Sequence, residues 1–265
     1  RWVAVNPPLK VERRARREDG WIRAELVGYA SARVRFAPSY PASTPSLPDL
    51  EDPEEPPCSA EELYADRWMF HGPQYQGVTH IGSWDSTGVD GRITVPTGPG
   101  SLLDNAGQLL GYWLIASTDT DRLAMPKGLE SVQFFGPPPE PGDVLDCRLR
   151  ITHTDDRTIV GNAELVKDGR LWCRITGWAD HRFKTGPRVW EVMRKPQCSV
   201  VSEAFDGFWL LDDQAVRAPS RDWLARRYLD TAGREEMSRS RTPRQFLNAR
   251  IAENDAVRSL AWELG

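Results

Sequence analysis

The chain has 265 residues, 40% of them hydrophobic, enough for one sizeable core or two small ones. A formal charge of −4 and an isoelectric point near 5.7 leave no electrostatic footprint for nucleic acid or an anionic membrane. No apolar run reaches the roughly 20 residues that a membrane span needs.

The start, RWVAVNPPLKVERR, lacks the long apolar core of a secretory signal. It also begins without Met, which reads as a piece cut from a longer chain. The cysteines, Cys58, Cys147, Cys173 and Cys198, lie far apart with no CxxC pair. That spacing favours buried or idle thiols over disulfides or a metal site, and a reduced cytoplasmic setting is expected. Eleven tryptophans suit wide apolar sheets or a lined channel.

In chain order, residues 2–17 and 21–37 read as two strands joined at EDG. The Pro-rich acidic stretch 38–57, PSYPASTPSLPDLEDPEEPP, reads as a solvated linker or an extended connection over the surface. SAEELYADRW, 59–68, offers a Ser N-cap and a short helix. FHGPQYQG, 70–77, is a loop by its Gly and Pro content, and THIGSWDSTGVDGRITVP has the form of a hairpin.

A long helix follows, roughly Leu102 to Ala116, with Ser101 as N-cap. After it come strand candidates GLESVQFFG, DVLDCRLRITHT, RTIVGNAELVKD and RLWCRITGWADHRF, the last two joined by a KDGR turn. Residues 79–183 thus run β-β-α-β-β-β-β, an α+β pattern in which an antiparallel sheet wraps a long helix, the hot-dog arrangement. Residues 184–220 read as irregular. Residues 221–231 and 243–263 read as helices, the second opening on Pro243 and carrying a rough stripe of Phe246, Leu247, Ile251, Val257, Leu260 and Ala261.

Within GPGSLLDNAGQLLGYW, Asp104 and Gln108 stand four residues apart, so on a helix their side chains meet. A carboxylate turned toward a core is costly unless it is compensated or works as an acid. Taken alone, Asp104 also fits an ordinary acidic residue in the first turn of a helix, favoured there by the macrodipole.

Three signatures in series, FHGPQYQG at 70–77, LLDNAGQLL at 102–110 and WADHRF at 178–183, resemble the C-terminal half of a polyketide synthase dehydratase domain, a double hot-dog fold. The resemblance covers about residues 1–185. It implies 1–37 as part of a first hot dog lacking its long helix, 38–58 as linker, 59–190 as the second hot dog, and 191–265 as linker and helical extension.

The resemblance further implies removal of water from a β-hydroxyacyl chain carried on an acyl carrier protein, giving a trans-enoyl thioester. Asp104 would protonate the departing hydroxyl, and Gln108 would orient Asp104. His71, Gly72, Pro73 and Tyr75 would line the substrate side of the GP loop. For His71 a hydrogen bond anchoring the loop is the competing role, and for Tyr75 packing beneath it. An acid working near neutral pH must be held protonated, which desolvation among Leu102, Leu103 and Leu110 is expected to do. A backbone N–H at the helix start would polarise the thioester carbonyl.

No metal or organic cofactor is implied, because the phosphopantetheine arm belongs to the carrier. The implied partners are the carrier protein and the other synthase domains, in a homodimer, with neither nucleic acid nor membrane. The family's catalytic His lies in an HxxxGxxxxP motif, and none of the four histidines, His71, His80, His153 and His181, has that context. The missing base is expected upstream of Arg1, the alternative being that this domain has lost it and the chain as given is inactive. Two other readings stay open: a non-catalytic module that binds acyl chains or scaffolds the synthase, and a product-template-like cyclase.

A second resemblance lies at the end of the chain. RRYLDTAGREEM and RQFLNARIAENDAVRS are similar to helices of phosphopantetheinyl transferases, as found in enediyne-type iterative synthases. Ile251, Asn254 and Asp255 replace the Trp, Lys and Glu of the family's helix. Asp255 is left as a possible Mg²⁺ ligand in what reads as a transferase remnant.

Overall fold

The computed structural model describes residues 10–212, 216 and 218–264. Two units divide the chain, Arg1–Ala42 and Ser43–Gly265.

In the first unit, β1 (Arg13–Glu18), β2 (Trp21–Leu26) and β3 (Ala30–Val34) form an antiparallel sheet in that order. The second expected strand, 21–37, is therefore two strands broken by a turn at 27–29. Residues 2–9 of the first expected strand lie outside the described residues.

In the second unit, the Pro-rich segment is fastened to the sheet instead of floating free of it. The Glu164 carboxylate accepts the Ser46 and Leu47 N–H groups, Arg150 donates to the Pro48 carbonyl, and Glu54 bridges Trp84. α1 (Ala60–Ala65) follows with a complete capping box between Ser59 and Glu62.

β4 (Val78–Asp85) and β5 (Gly88–Thr94) form a hairpin leading to α2 (Ser101–Ser117). Five strands follow: β6 (Leu123–Gly128), β7 (Ser131–Phe134), β8 (Val144–Thr154), β9 (Thr158–Lys167) and β10 (Arg170–Phe183). The sheet order is β4-β5-β8-β9-β10-β6, with β7 also paired to β10, and every pairing is antiparallel.

α2 lies against β4, β5, β6, β8 and β9. Its buried Leu102, Ala106, Leu109, Leu110, Trp113 and Ile115 meet Ile93, Leu145, Leu165, Ile175 and Trp178 from the sheet in one core. A helix apolar over most of its circumference is stable only when a sheet curls around it, and here the sheet does. The fold of this unit is the α+β hot dog.

Two details differ from the sequence reading. Gly100, at φ 73, caps α2, while the Ser101 hydroxyl turns back to the Pro96 carbonyl at 3.4 Å. β6, which contains Pro126, is not among the strands that the sequence predicts. It sits at the sheet edge, where a missing N–H is tolerated.

Residues 184–220, read as irregular, hold α3 (Pro187–Arg194) and a hairpin of β11 (Glu203–Phe205) and β12 (Phe208–Leu210). α4 (Ala218–Tyr228), α5 (Thr231–Arg239) and α6 (Pro243–Leu264) complete the unit. Val189, Val192, Val201, Leu224, Tyr228, Leu229, Leu247 and Ile251 build a second core. α3 joins the two cores, because Trp190 belongs to the hot-dog core and Val189 and Val192 to the other.

The apolar stripe expected on α6 divides: Leu247 and Ile251 are buried, while Val257 and Leu260 are exposed. No helix among the described residues is long and apolar enough to cross a membrane. Cys58, Cys147 and Cys173 are buried free thiols and Cys198 is an exposed one.

Candidate active site

The first two turns of α2 place Asp104 and Gln108 on one face, opposite the loop 70–77 that connects α1 to β4. That loop contains a single 3₁₀ turn, Pro73–Tyr75, entered from Gly72.

The Gln108 amide is held at both ends. Its Nε2 donates to Asp104 Oδ2 and to the Tyr75 carbonyl, each at 2.8 Å, and its Oε1 accepts from the Tyr64 hydroxyl at 2.8 Å. Burial pushes the Tyr64 hydroxyl up to about 12, so it stays a neutral donor. Its oxygen also accepts the Val78 N–H at 3.1 Å. Asn105 adds a second tie, accepting the Gly77 N–H at 2.8 Å and donating to the Ser101 carbonyl at 2.7 Å.

Gly77 is required at this join. A Cβ there would lie 2.6 Å from Pro96 Cγ and 2.8 Å from the Thr94 carbonyl oxygen. Loop and helix are thus locked together through Tyr64, Gly77, Asn105 and Gln108.

His71 Nε2 lies 3.4 Å from Asp104 Oδ2. The imidazole stacks on Phe70 with centroids 4.5 Å apart and planes at 18°. Its Nδ1 is buried without a hydrogen-bond partner among the described residues. Burial holds His71 below the ordinary imidazole range, with the Asp104 charge pulling the other way, so the ring is neutral near pH 7. The loop is anchored by the His71 carbonyl, which accepts from Gln76 Nε2 at 2.8 Å, and not by the ring.

The Asp104 side chain is 40% exposed, against 17% for His71. The desolvation expected from Leu102, Leu103 and Leu110 is therefore not in place. Leu102 and Leu110 point into the hot-dog core, well around the helix from Asp104, and Leu103 is only partly buried.

Tyr75 spends its hydroxyl on the Pro99 carbonyl at 3.0 Å, so it staples the loop to the approach to α2. Gly72 and Pro73 are exposed and shape the turn. His153 pairs with Asp155 at 3.1 Å and His181 lies edge-on to Phe183, both on the sheet.

The structure therefore brings together His71, Asp104 and Gln108, with Tyr64, Asn105 and Phe70 as members the sequence reading did not include. Asn105 was visible in principle as the neighbour of Asp104 in DNAGQ. Tyr64 and Phe70 carry no local signal and arrive through packing.

Among the described residues no group of three or more His, Cys, Asp or Glu could hold a metal ion. Asp255 does not fit a Mg²⁺ ligand. Its Oδ2 accepts the Val201 and Ser202 N–H groups at 2.9 Å and the Ser202 hydroxyl at 2.8 Å, and its Oδ1 accepts the Tyr228 hydroxyl at 2.7 Å.

No curated protein sequence matches the chain. Among solved structures it is similar to a trans-AT polyketide synthase dehydratase domain from Brevibacillus brevis (16% identity, 66% of this chain and 69% of that one, TM-score 0.48). It is also similar to the dehydratase domain of RzxB from Pseudomonas fluorescens (14% identity, 64% and 66%, TM-score 0.43). A third is the dehydratase domain from the CurJ module of the curacin polyketide synthase (13% identity, 68% and 69%, TM-score 0.46). The chain spans about two thirds of the length of each of these domains.

A family model described as polyketide synthase dehydratase N-terminal domain matches residues 42–186, more than half of the chain. That designation names the N-terminal part, whereas the signatures in the sequence resemble the C-terminal half. By this match the chain belongs to the polyketide synthase dehydratase family.

Proposed function

We propose that this chain dehydrates a β-hydroxyacyl group carried on an acyl carrier protein, leaving a trans-enoyl thioester during polyketide synthesis. The observation that carries the reading is one carboxylate oxygen, Asp104 Oδ2, gripped by Gln108 and faced by an imidazole. A carboxyl fixed in direction is suited to deliver a proton to a departing hydroxyl. Gln108 orients it, and the N–H groups opening α2 are suited to polarise the thioester carbonyl. By family resemblance the base stands upstream in the first hot dog, with 1–37 a part of that hot dog and 59–190 the second.

The finer reading is an enediyne-type iterative synthase working in the cytoplasm as a homodimer, with the carrier protein and the other synthase domains as partners. No cofactor of its own is needed, because the carrier supplies the phosphopantetheine arm. Gly72, Pro73 and Tyr75 shape the substrate-side turn. The helices α4–α6 form a transferase remnant serving as structure, in keeping with an Asp255 whose oxygens are taken by protein donors.

The test is Asp104→Asn in the dehydrating protein, followed by mass spectrometry of the carrier-bound acyl chain. Loss of enoyl formation is expected, and undiminished turnover removes Asp104 from the chemistry. The 40% exposure of Asp104 favours a second reading, an acyl-binding scaffold without catalysis. That reading is distinguished by acyl-carrier binding with no water loss.

A further inference from the structure

The first unit carries a positive charge in a chain that is negative as a whole. Residues 10–37 hold seven Arg and one Lys against four Asp and Glu, while the net charge of the chain is −4. The strand register sorts these residues by face, because side chains directly opposite one another in an antiparallel pair share a face. Ala15, Ile22, Ala24, Leu26, Ala32 and Val34 lie on one face, with Arg13 and Arg17 of the edge strand β1 at its border. Arg14, Arg16, Trp21, Arg23 and Arg33 lie on the other.

Across that second face Arg16, Arg23 and Arg33 stand directly opposite one another in a row over three strands, all exposed. Like charges placed this way destabilise a sheet. Part of the repulsion is relieved locally, since Arg14 pairs with Glu12 at 2.7 Å and Arg16 with Glu18 at 2.6 Å. Arg23, Arg33 and Arg35 have no carboxylate partner among the described residues. The guanidinium groups of Arg33 and Arg35 lie over the Trp21 ring instead, each 5.0 Å from its centroid.

We propose that this arginine face docks a partner protein through an acidic helix, whose carboxylates meet Arg23, Arg33 and Arg35. Such a role is independent of the dehydratase reading. Arginine suits carboxylates because its planar fork offers two parallel N–H groups and gives up its water readily. Trp21 holds two of these planes in place before a partner arrives, which lowers the cost of ordering them.

The spacing also fits a helix. Arg33 and Arg35 are two residues apart at the end of β3, about 6.7 Å in an extended strand. Carboxylates four residues apart on an α-helix are separated by about 6 Å. A helix laid along β3 therefore meets both arginines, and Arg23 on the neighbouring strand takes a third carboxylate.

Other anionic partners fit less well. A single-stranded nucleic acid stacks its bases on bare aromatic rings, whereas Trp21 is already covered by guanidinium groups. Glu25 stands on the same face opposite Arg14, where it repels a continuous phosphate track. A membrane surface is gripped by inserted apolar side chains as well as by charge, and Trp21 is the one large apolar side chain this face offers among the described residues.

The experiment uses the whole chain and a fluorescent helical peptide of about 20 residues with Glu at every fourth position along one face. Binding is read by fluorescence anisotropy at low and high salt. The wild-type chain is expected to bind this peptide, more weakly as salt rises, and not to bind the same peptide with Gln in place of each Glu. The triple variant Arg23→Gln, Arg33→Gln, Arg35→Gln is expected to lose about tenfold in affinity. The charge-matched variant Lys10→Gln, Arg13→Gln, Arg17→Gln is expected to keep it. Matching near-ultraviolet circular dichroism and melting temperature show that each variant is folded.

No binding by the wild-type chain, or equal losses in the two triple variants, overturns the assignment. Tighter binding of a single-stranded DNA of about 20 nucleotides, or of phosphatidylcholine–phosphatidylglycerol vesicles, lost in the Arg23, Arg33 and Arg35 variant, gives the face to another class of partner and also overturns it. Self-association that this variant abolishes does the same in favour of a second copy of the chain.

Discussion

Gly107 of α2 meets the Trp178 indole of β10 so closely that a Cβ on Gly107 would lie 2.4 Å from Trp178 Cζ2. This contact sets how tightly the long strand β10 wraps the helix, one residue before Gln108. Alanine at 107 gains roughly 1 kcal/mol of helix propensity but collides with a rigid ring, at a cost of about 1–3 kcal/mol. Gly107→Ala is therefore expected to lower the melting temperature, and to lower it by less when introduced into a Trp178→Leu background. Equal losses in both backgrounds would show that the ring is not the obstacle.

Asp180 supplies a pH dependence of stability. It is 4% exposed and accepts one hydrogen bond from Trp178 Nε1, at 2.8 Å. Burial pushes its carboxyl up to about 6, with the Trp178 bond opposing. A folded value above the unfolded one means the folded state holds the proton more tightly. The stabilising contribution is complete below about pH 4 and is lost as pH rises through about 6. Asp180→Asn keeps an acceptor for the indole and removes the ionisation. Relative to wild type it should be neutral near pH 4 and more stable at pH 7.5, by up to about 3 kcal/mol. Melting curves at the two pH values check this, and a difference independent of pH would contradict it.

The parts of this fold legible in the sequence were those with local signals. The KDGR turn joins β9 to β10 with Asp168 at φ 50 and Gly169 at φ 72, the backbone that a two-residue hairpin demands. Pro243 opens α6 and Ser59 caps α1 as their types suggest. What stayed hidden depends on placement in space. β6 carries Pro126 and is a strand only because an edge accepts it. α5 is capped by Asp230, but its nine residues have few apolar ones and none buried, so no stripe announces it.

The site shows the same division. The spacing of Asp104 and Gln108 was visible, whereas Tyr64 and His71 reach them only because α1 and the GP loop fold back onto α2. The exposure of Asp104 departs from the sequence expectation because its neighbours in sequence are not its neighbours in space. On a helix Leu102 and Leu110 face away from it.

Gln108 serves both the fold and the proposed chemistry, and the two are separable. Gln108→Leu leaves the Tyr64 hydroxyl and the Tyr75 carbonyl without their present partner, at a cost of about 1–3 kcal/mol. It also frees Asp104 to rotate. The expected result is a lower melting temperature together with a fall in kcat larger than any rise in KM, since an orienting contact matters most while the proton moves. A loss of stability with unchanged kcat would make Gln108 a packing residue alone.

Asp255 anchors the second core. Its two oxygens take the Val201 and Ser202 N–H groups, the Ser202 hydroxyl and the Tyr228 hydroxyl, all at a side chain with no exposed surface. Burial holds the Tyr228 hydroxyl above its usual range, so it remains a donor. Asp255→Ala strands these donors at once, and a loss of about 3 kcal/mol or more is expected from buried groups left unpaired. The damage should be local, with faster hydrogen exchange around Val201 and in α4 and α6 before the hot dog opens. Millimolar Mg²⁺ should leave the wild-type melting temperature unchanged, because a cation would have to displace donors already bonded to both oxygens. A Mg²⁺-dependent rise that disappears in Asp255→Ala would restore a metal role to this residue.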